Sequence, residues 1–184
     1  MMADLMLEVK NLSGGYDDLI IVKNISLNVY SGQVVSVTGR NGVGKSTLIK
    51  LISGSLKLSD GTVFVLNQDV RSIAKHKRLK MGVSYAPQES IVFDELSLEE
   101  NLTLHYEGTD LASYDEVFKY FPRLKARLGQ RAGTLSGGEK KLLSFSRVIA
   151  EPTKMVLLDE PTEGVQSDNI ELMAEIIIKD QAMG

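Results

Sequence analysis

The stretch Gly39-Arg40-Asn41-Gly42-Val43-Gly44-Lys45-Ser46-Thr47 restricts the folds open to this chain more than any other segment. It fits the pattern G-x-x-x-x-G-K-[ST] and follows the apolar run Val34-Val35-Ser36-Val37. Behind it, Leu48, Leu51 and Ile52 recur at helical spacing as far as Gly54. A strand entering a glycine-rich loop and leaving as a helix has to rest on a sheet, so the chain reads as α/β. The glycines at 39, 42 and 44 let backbone N–H groups turn inward around an anion. The helix adds its N-terminal N–H groups and the positive end of its dipole. The loop, Asn41 included, therefore reads as a phosphate cradle. Lys45 reaches the β- and γ-phosphates and the Ser46 hydroxyl meets Mg²⁺.

Met155-Val156-Leu157-Leu158-Asp159-Glu160 is an apolar strand that ends in two carboxylates. Buried acids are costly unless something positive faces them, and a magnesium ion held at the cradle supplies that charge. Asp159 then takes the metal-holding role of the second acidic motif in phosphate-loop NTPases, and Glu160 is placed to polarise an attacking water. Leu135-Ser136-Gly137-Gly138-Glu139 has no evident task inside one nucleotide site, which points to a site completed by a second copy.

Composition narrows the class further. The 184 residues fit one domain, 43% hydrophobic and 24% charged, with a net charge of -3 that does not suit a nucleic-acid footprint. The absence of cysteine rules out disulfides and thiolate metal sites and suits a reducing cytosol. Residues 1–10 lack the features of a secretion signal, and no apolar run approaches the roughly 18 residues that span a bilayer. A soluble protein is expected, with any membrane role exercised through a partner.

Strands are expected at Leu5–Val9, Ile25–Tyr30, Val34–Val37, Gly61–Leu66, Met81–Ala86 and Met155–Leu158, with a turn at Gly14-Gly15. Leu19–Val22 is too short to assign. Ser97 with Glu100 three residues on reads as a capping box opening a helix through Leu104. Helices are also expected over Tyr114–Tyr120, Gly138–Ala150 and Asp168–Lys179. A parallel sheet flanked by helices results, with a helical insertion from about 96 to 150. Lys75-His76-Lys77-Arg78-Leu79-Lys80 reads as a solvated helix face, and His105 as packing or capping near a helix end.

With LSGGE set between the two phosphate-site motifs, the chain resembles the ATP-binding cassette (ABC) ATPases from about Leu5 to Gly184. The resemblance implies a RecA-like parallel core with an N-terminal antiparallel β subdomain and a helical insertion carrying LSGGE. Its expected bounds are a core of about 1–90 and 152–184 and a helical subdomain of about 91–151, in one domain. It further implies a head-to-tail dimer, with itself or a homologous ATPase subunit, that sandwiches two ATP molecules. Ser136 and the N–H groups of Gly137 and Gly138 then meet the γ-phosphate of the partner's ATP. By the same resemblance Tyr16 stacks on adenine and Thr47 is a further phosphate ligand. Gln88, in Tyr85-Ala86-Pro87-Gln88, senses Mg²⁺ and the attacking water and leads toward the membrane subunit.

Three stretches are similar to ATPase subunits of importers for branched-chain amino acids, urea or short amides. They are Gly39–Lys45, Val117–Leu124, and Asp159-Glu160-Pro161-Thr162-Glu163-Gly164-Val165-Gln166. The implied protein is an ATP-hydrolysing subunit at the inner face of the plasma membrane, attached through membrane-spanning permease chains. Two departures bear on this. The family's γ-phosphate-contacting histidine lies on a strand beyond the second motif, where this chain has already ended, so strands are expected to be missing. Gln166 stands where an aspartate is common. The alternatives are an ABC ATPase of another transporter, or a module that binds ATP without hydrolysing it.

Overall fold

A computed structural model describes residues 3–104 and 110–183, and divides the chain into two compact units. One comprises residues 3–83, 153–157 and 180–183; the other comprises residues 84–152 and 158–179. His105 lies outside the described residues.

The first unit is built on an antiparallel sheet. Strands β1 (Leu5–Tyr16) and β2 (Leu19–Tyr30) form a hairpin, and β3 (Leu58–Val65) and β4 (Gln68–Asp69) follow on the other edge in the order β2-β1-β3-β4. Leu7 pairs with Val65 and Val9 with Val63, so alternate residues of both strands turn one apolar face inward. That face meets Leu48, Leu51 and Ile52 of α1 (Lys45–Ser53), all nearly inaccessible to solvent. Truncating a core side chain such as Leu51 to alanine would cost about 2–5 kcal/mol.

Gly14-Gly15 is not the expected turn but part of β1. A Cβ on Gly14 would meet the Leu51 side chain, and one on Gly15 the Leu19 carbonyl oxygen. Close backbone approach accounts for both glycines, while the hairpin turns at Asp17-Asp18, with Asp17 at φ 48. Leu19–Val22 and Ile25–Tyr30 belong to one strand, offset at Asn24, which has φ 51.

Val34–Val37, expected as a strand, has no ladder partner among the described residues. Val34, Val35 and Val37 are 56%, 50% and 40% exposed. β-branched residues favour an extended backbone, but a strand exists only where a neighbour takes up its N–H and C=O groups. Among the described residues the parallel sheet accordingly has two strands, β5 (Val83–Ala86) and β6 (Met155–Leu158). Helix α2 (Lys75–Arg78) is the expected basic run, but Arg78 is buried and not part of a solvated face. Its guanidinium donates to the Ile52, Val70 and Ile73 carbonyls.

The second unit is helical. It holds α3 (Leu98–Thr103), α4 (Asp115–Tyr120), α5 (Pro122–Ala126), α6 (Gly137–Ile149) and most of α7 (Ser167–Met183). The Ser97 capping box is present: Ser97 Oγ accepts from the Glu100 N–H, and the Glu100 carboxylate accepts from the Ser97 N–H at 2.7 Å. Leu98, Leu102, Phe121, Leu143, Phe145 and Met173 make one apolar core, with the Phe121 and Phe145 rings edge to face at 6.5 Å. Tyr114 is fully enclosed and donates its hydroxyl hydrogen to the Leu102 carbonyl at 2.7 Å. A buried phenol with its polar end satisfied adds area without an orphaned group.

Candidate functional site

The phosphate-loop residues lie in the first unit. Gly42 and Gly44 stand at φ 82 and 101, a region that side chains resist. A Cβ on Gly44 would also come within 2.9 Å of Ile21, whereas around Gly42 nothing lies within 4 Å. Gly44 stands at the N-cap of α1 and has no side chain with which to cap it. Lys45 Nζ donates to the Gly39 and Arg40 carbonyls, both at 3.2 Å, which sets the ammonium over the loop. Thr47 is buried, Ser46 is partly exposed, Asn41 is exposed, and Tyr16 at the end of β1 is 43% exposed. An exposed loop with glycines at positive φ, a helix starting at Lys45 and an ammonium over the loop fits a polyphosphate.

In the second unit, the chain leaves β6 through Asp159, whose N–H donates to the Ala86 carbonyl at 2.9 Å. Asp159 is 1% exposed, and its Oδ2 has no hydrogen-bond partner. A buried carboxylate oxygen left without a donor costs about 1–3 kcal/mol or more, which a cation would relieve. The residues therefore fit a magnesium ion, which typically takes only one or two carboxylates along with phosphate oxygens. Next to it, Glu160 stands at φ 45, a strained conformation for a residue with a side chain. Gln88 Nε2 donates to Glu160 Oε2 at 3.1 Å and to Glu163 Oε2 at 3.2 Å.

Ser136 caps α6. Its Oγ accepts from the Glu139 N–H at 3.3 Å, and Glu139 Oε2 accepts from the Ser136 N–H at 2.8 Å. The Ser136 hydroxyl also hydrogen-bonds to the Glu139 carboxylate. The Ser136 backbone, followed by Arg127, holds the Glu139 carboxyl below its usual range. The two glycines differ. A Cβ on Gly137 would meet nothing within 4 Å, while one on Gly138 would collide with the Gly164 carbonyl. Gly137 thus faces open space, and Gly138 is required by the turn after Glu160. Ser136, Gly137, Gly138, Arg123, Lys141 and Glu163 are among the residues lining a cleft of ≈ 1090 Å³ within this unit.

The structure thus brings Gln88, Glu160 and Glu163 together, and sets Ser136–Gly138 against the turn at Gly164. Sequence reasoning passed over two residues here. Lys141, buried, donates to the Gln88 carbonyl, and Glu163 shares the Gln88 amide. A third carboxylate three residues past Glu160 was a visible signal, but only the turn Glu163 N–H to Glu160 carbonyl, 3.3 Å, points it back.

A family model described as ABC transporter matches residues 22–163. The probable branched-chain amino acid transport ATP-binding protein LivF of Archaeoglobus fulgidus is 34% identical over 178 residues, covering 95% of this chain and 75% of that one. The lipopolysaccharide export system ATP-binding protein LptB of Escherichia coli is 31% identical, covering 97% and 77%. Among solved structures, an ATP-binding subunit of an ABC transporter superposes with a TM-score of 0.83 at 28% identity, covering 97% of this chain and 76% of that chain.

Proposed function

Because this chain belongs to the ABC transporter family of ATP-binding proteins, we propose that it is one ATPase domain, with a core of about 1–90 and 152–184 and a helical subdomain of about 91–151. The protein is an ABC-type ATPase. In our reading Lys45, Thr47 and the N–H groups of Gly39, Asn41, Gly42 and Gly44 hold the triphosphate, and Tyr16 stacks on adenine. Ser46, Asp159 and Gln88 would hold Mg²⁺, which when bound draws charge from the β- and γ-phosphate oxygens. Glu160 takes the proton of the attacking water. Ser136, Gly137 and Gly138 receive the γ-phosphate of a nucleotide bound to a second copy or a homologous ATPase subunit, as a helix N-terminus can.

The observation that carries this reading is the buried, donorless Asp159 Oδ2 beside a Glu160 carboxylate pinned by Gln88. Glu160→Gln tests it. ATP turnover should fall by roughly 10²–10⁴-fold, ATP binding should persist, and ATP with Mg²⁺ should drive a dimer detectable by light scattering. Turnover equal to the wild type removes Glu160 from the reaction, and a monomer at saturating nucleotide removes the sandwich.

We read the transporter as an importer for branched-chain amino acids, urea or short amides, supported by the LivF relative. Export is the second reading, favoured by the LptB relative. No helix of the described residues is long and apolar enough to cross a membrane, so attachment to the inner face of the plasma membrane would run through permease subunits. ATP-driven uptake of labelled leucine or urea by vesicles holding this chain and its permeases supports import. Efflux without uptake supports export.

A further inference from the structure

Gln88 is gripped at both its ends. Its side-chain amide meets two carboxylates, Glu160 at 3.1 Å and Glu163 at 3.2 Å. Its backbone carbonyl accepts from the ammonium of Lys141, a residue only 6% exposed. We infer that Glu163 and Lys141 are positioning residues that clamp Gln88 for its work on the metal and the water. This rests on the role given to Gln88 in the preceding subsection.

A glutamine amide can lie either way round, with oxygen and nitrogen exchanged. Two acceptor-only carboxylates select one of these orientations, because the other sets oxygen against oxygen. With both N–H groups committed, Oε1 is the amide atom left to accept from water or face a cation. Glu160 cannot keep this hold throughout the reaction, since its carboxylate turns to the attacking water. Glu163 then keeps the amide from rotating, which gives the second carboxylate a task of its own. Lys141 fixes the other end: a buried ammonium strands its charge if it leaves its acceptor, so α6 and Gln88 hold a common register. The Gly138–Gly164 approach fastens the Glu163 turn to the same helix. Residues 136–138, Gln88 and Glu163 therefore shift together.

The test uses Glu163→Ala, Glu163→Gln and Lys141→Met in the intact chain. Amide hydrogen exchange over residues 86–91 in the nucleotide-free protein reports the clamp without any need for turnover. The Mg²⁺ concentration for half-maximal ATP hydrolysis reports its consequence. Glu163→Ala and Lys141→Met should each speed exchange over 86–91 several-fold. Glu163→Ala should also raise the half-saturating Mg²⁺ and lower kcat, each by roughly tenfold, the size expected for one lost charged hydrogen bond. KM for ATP should stay within about twofold, since KM changes only where ground-state binding is lost. Glu163→Gln keeps an accepting oxygen and should restore slow exchange. Wild-type exchange in Glu163→Ala, or a Glu163→Gln as loosened as the alanine variant, overturns the clamp. A wild type without ATP turnover counts against the assigned function, while the exchange measurement still decides the clamp.

Discussion

Gly54 and Arg78 should be energetically coupled, because one occupies the space the other leaves. Gly54 caps the C-terminus of α1 at φ 78, and a Cβ there would lie 2.5 Å from the Arg78 guanidinium carbon. Arg78 donates to the carbonyls of Ile52, in the last turn of α1, of Val70 at 2.7 Å and of Ile73 at 3.2 Å. Burial holds its pKa below the usual guanidinium value, so these bonds are what retain a charge inside the protein. In Gly54→Ala the left-handed backbone costs roughly 1 kcal/mol, and the guanidinium has to leave. Val70 keeps a donor, the Ile73 N–H at 3.1 Å, so two carbonyls, Ile52 and Ile73, are left bare. At about 1–3 kcal/mol for each bare carbonyl, less some relief of arginine desolvation, the loss is about 3–5 kcal/mol in all. Arg78→Met alone should cost about 2–4 kcal/mol by the same reasoning. In the Arg78→Met background, Gly54→Ala then costs only its backbone share, about 1 kcal/mol. Urea unfolding followed by circular dichroism on the four proteins gives the cycle. Costs that simply add, or a Gly54→Ala cost that does not shrink beside methionine, would refute the argument.

Gly137→Ala should leave the free energy of urea unfolding within about 0.5 kcal/mol of wild type, since its Cβ enters open space. Gly138→Ala should lose about 1–3 kcal/mol against the Gly164 carbonyl, and the prediction fails if the two variants are equally stable. Glu116 is held to a pKa of about 2, against an ordinary 4.5, by Lys119 at 2.8 Å and by Lys179. A lowered carboxyl pKa contributes stability above pH 4.5 that drains away as pH falls toward 2. Glu116→Gln should therefore flatten the pH dependence of the urea midpoint over that window, and an unchanged slope speaks against the pairing.

What could be read in advance was whatever local chemistry decides. The Ser97 capping box, the stop of α1 at Gly54 and the apolar strand before Asp159 follow from neighbours in the chain, and all are present. Membership in the ABC family was legible from motif order. Long-range contacts were not. Gly14 and Gly15 look like turn residues until Leu51 and Leu19 are seen against them. Arg78 looks solvated in a basic run until three carbonyls close around it, and Val34–Val37 looks like a strand until its missing ladder is noticed. Lys141 and Glu163 carry no motif, since their partner Gln88 is 53 and 75 residues away.

The backbone of Glu160 has a consequence for attempts to make this protein sturdier. At φ 45 it sits where glycine or asparagine rests more comfortably than glutamate. Screens that reward heat resistance alone should therefore enrich Gly or Asn at position 160, gaining durability by discarding the carboxylate. On the proposed role of Glu160, robustness and turnover conflict at this one peptide unit, and a selection scheme that ignores ATP consumption would drift toward a durable but idle protein.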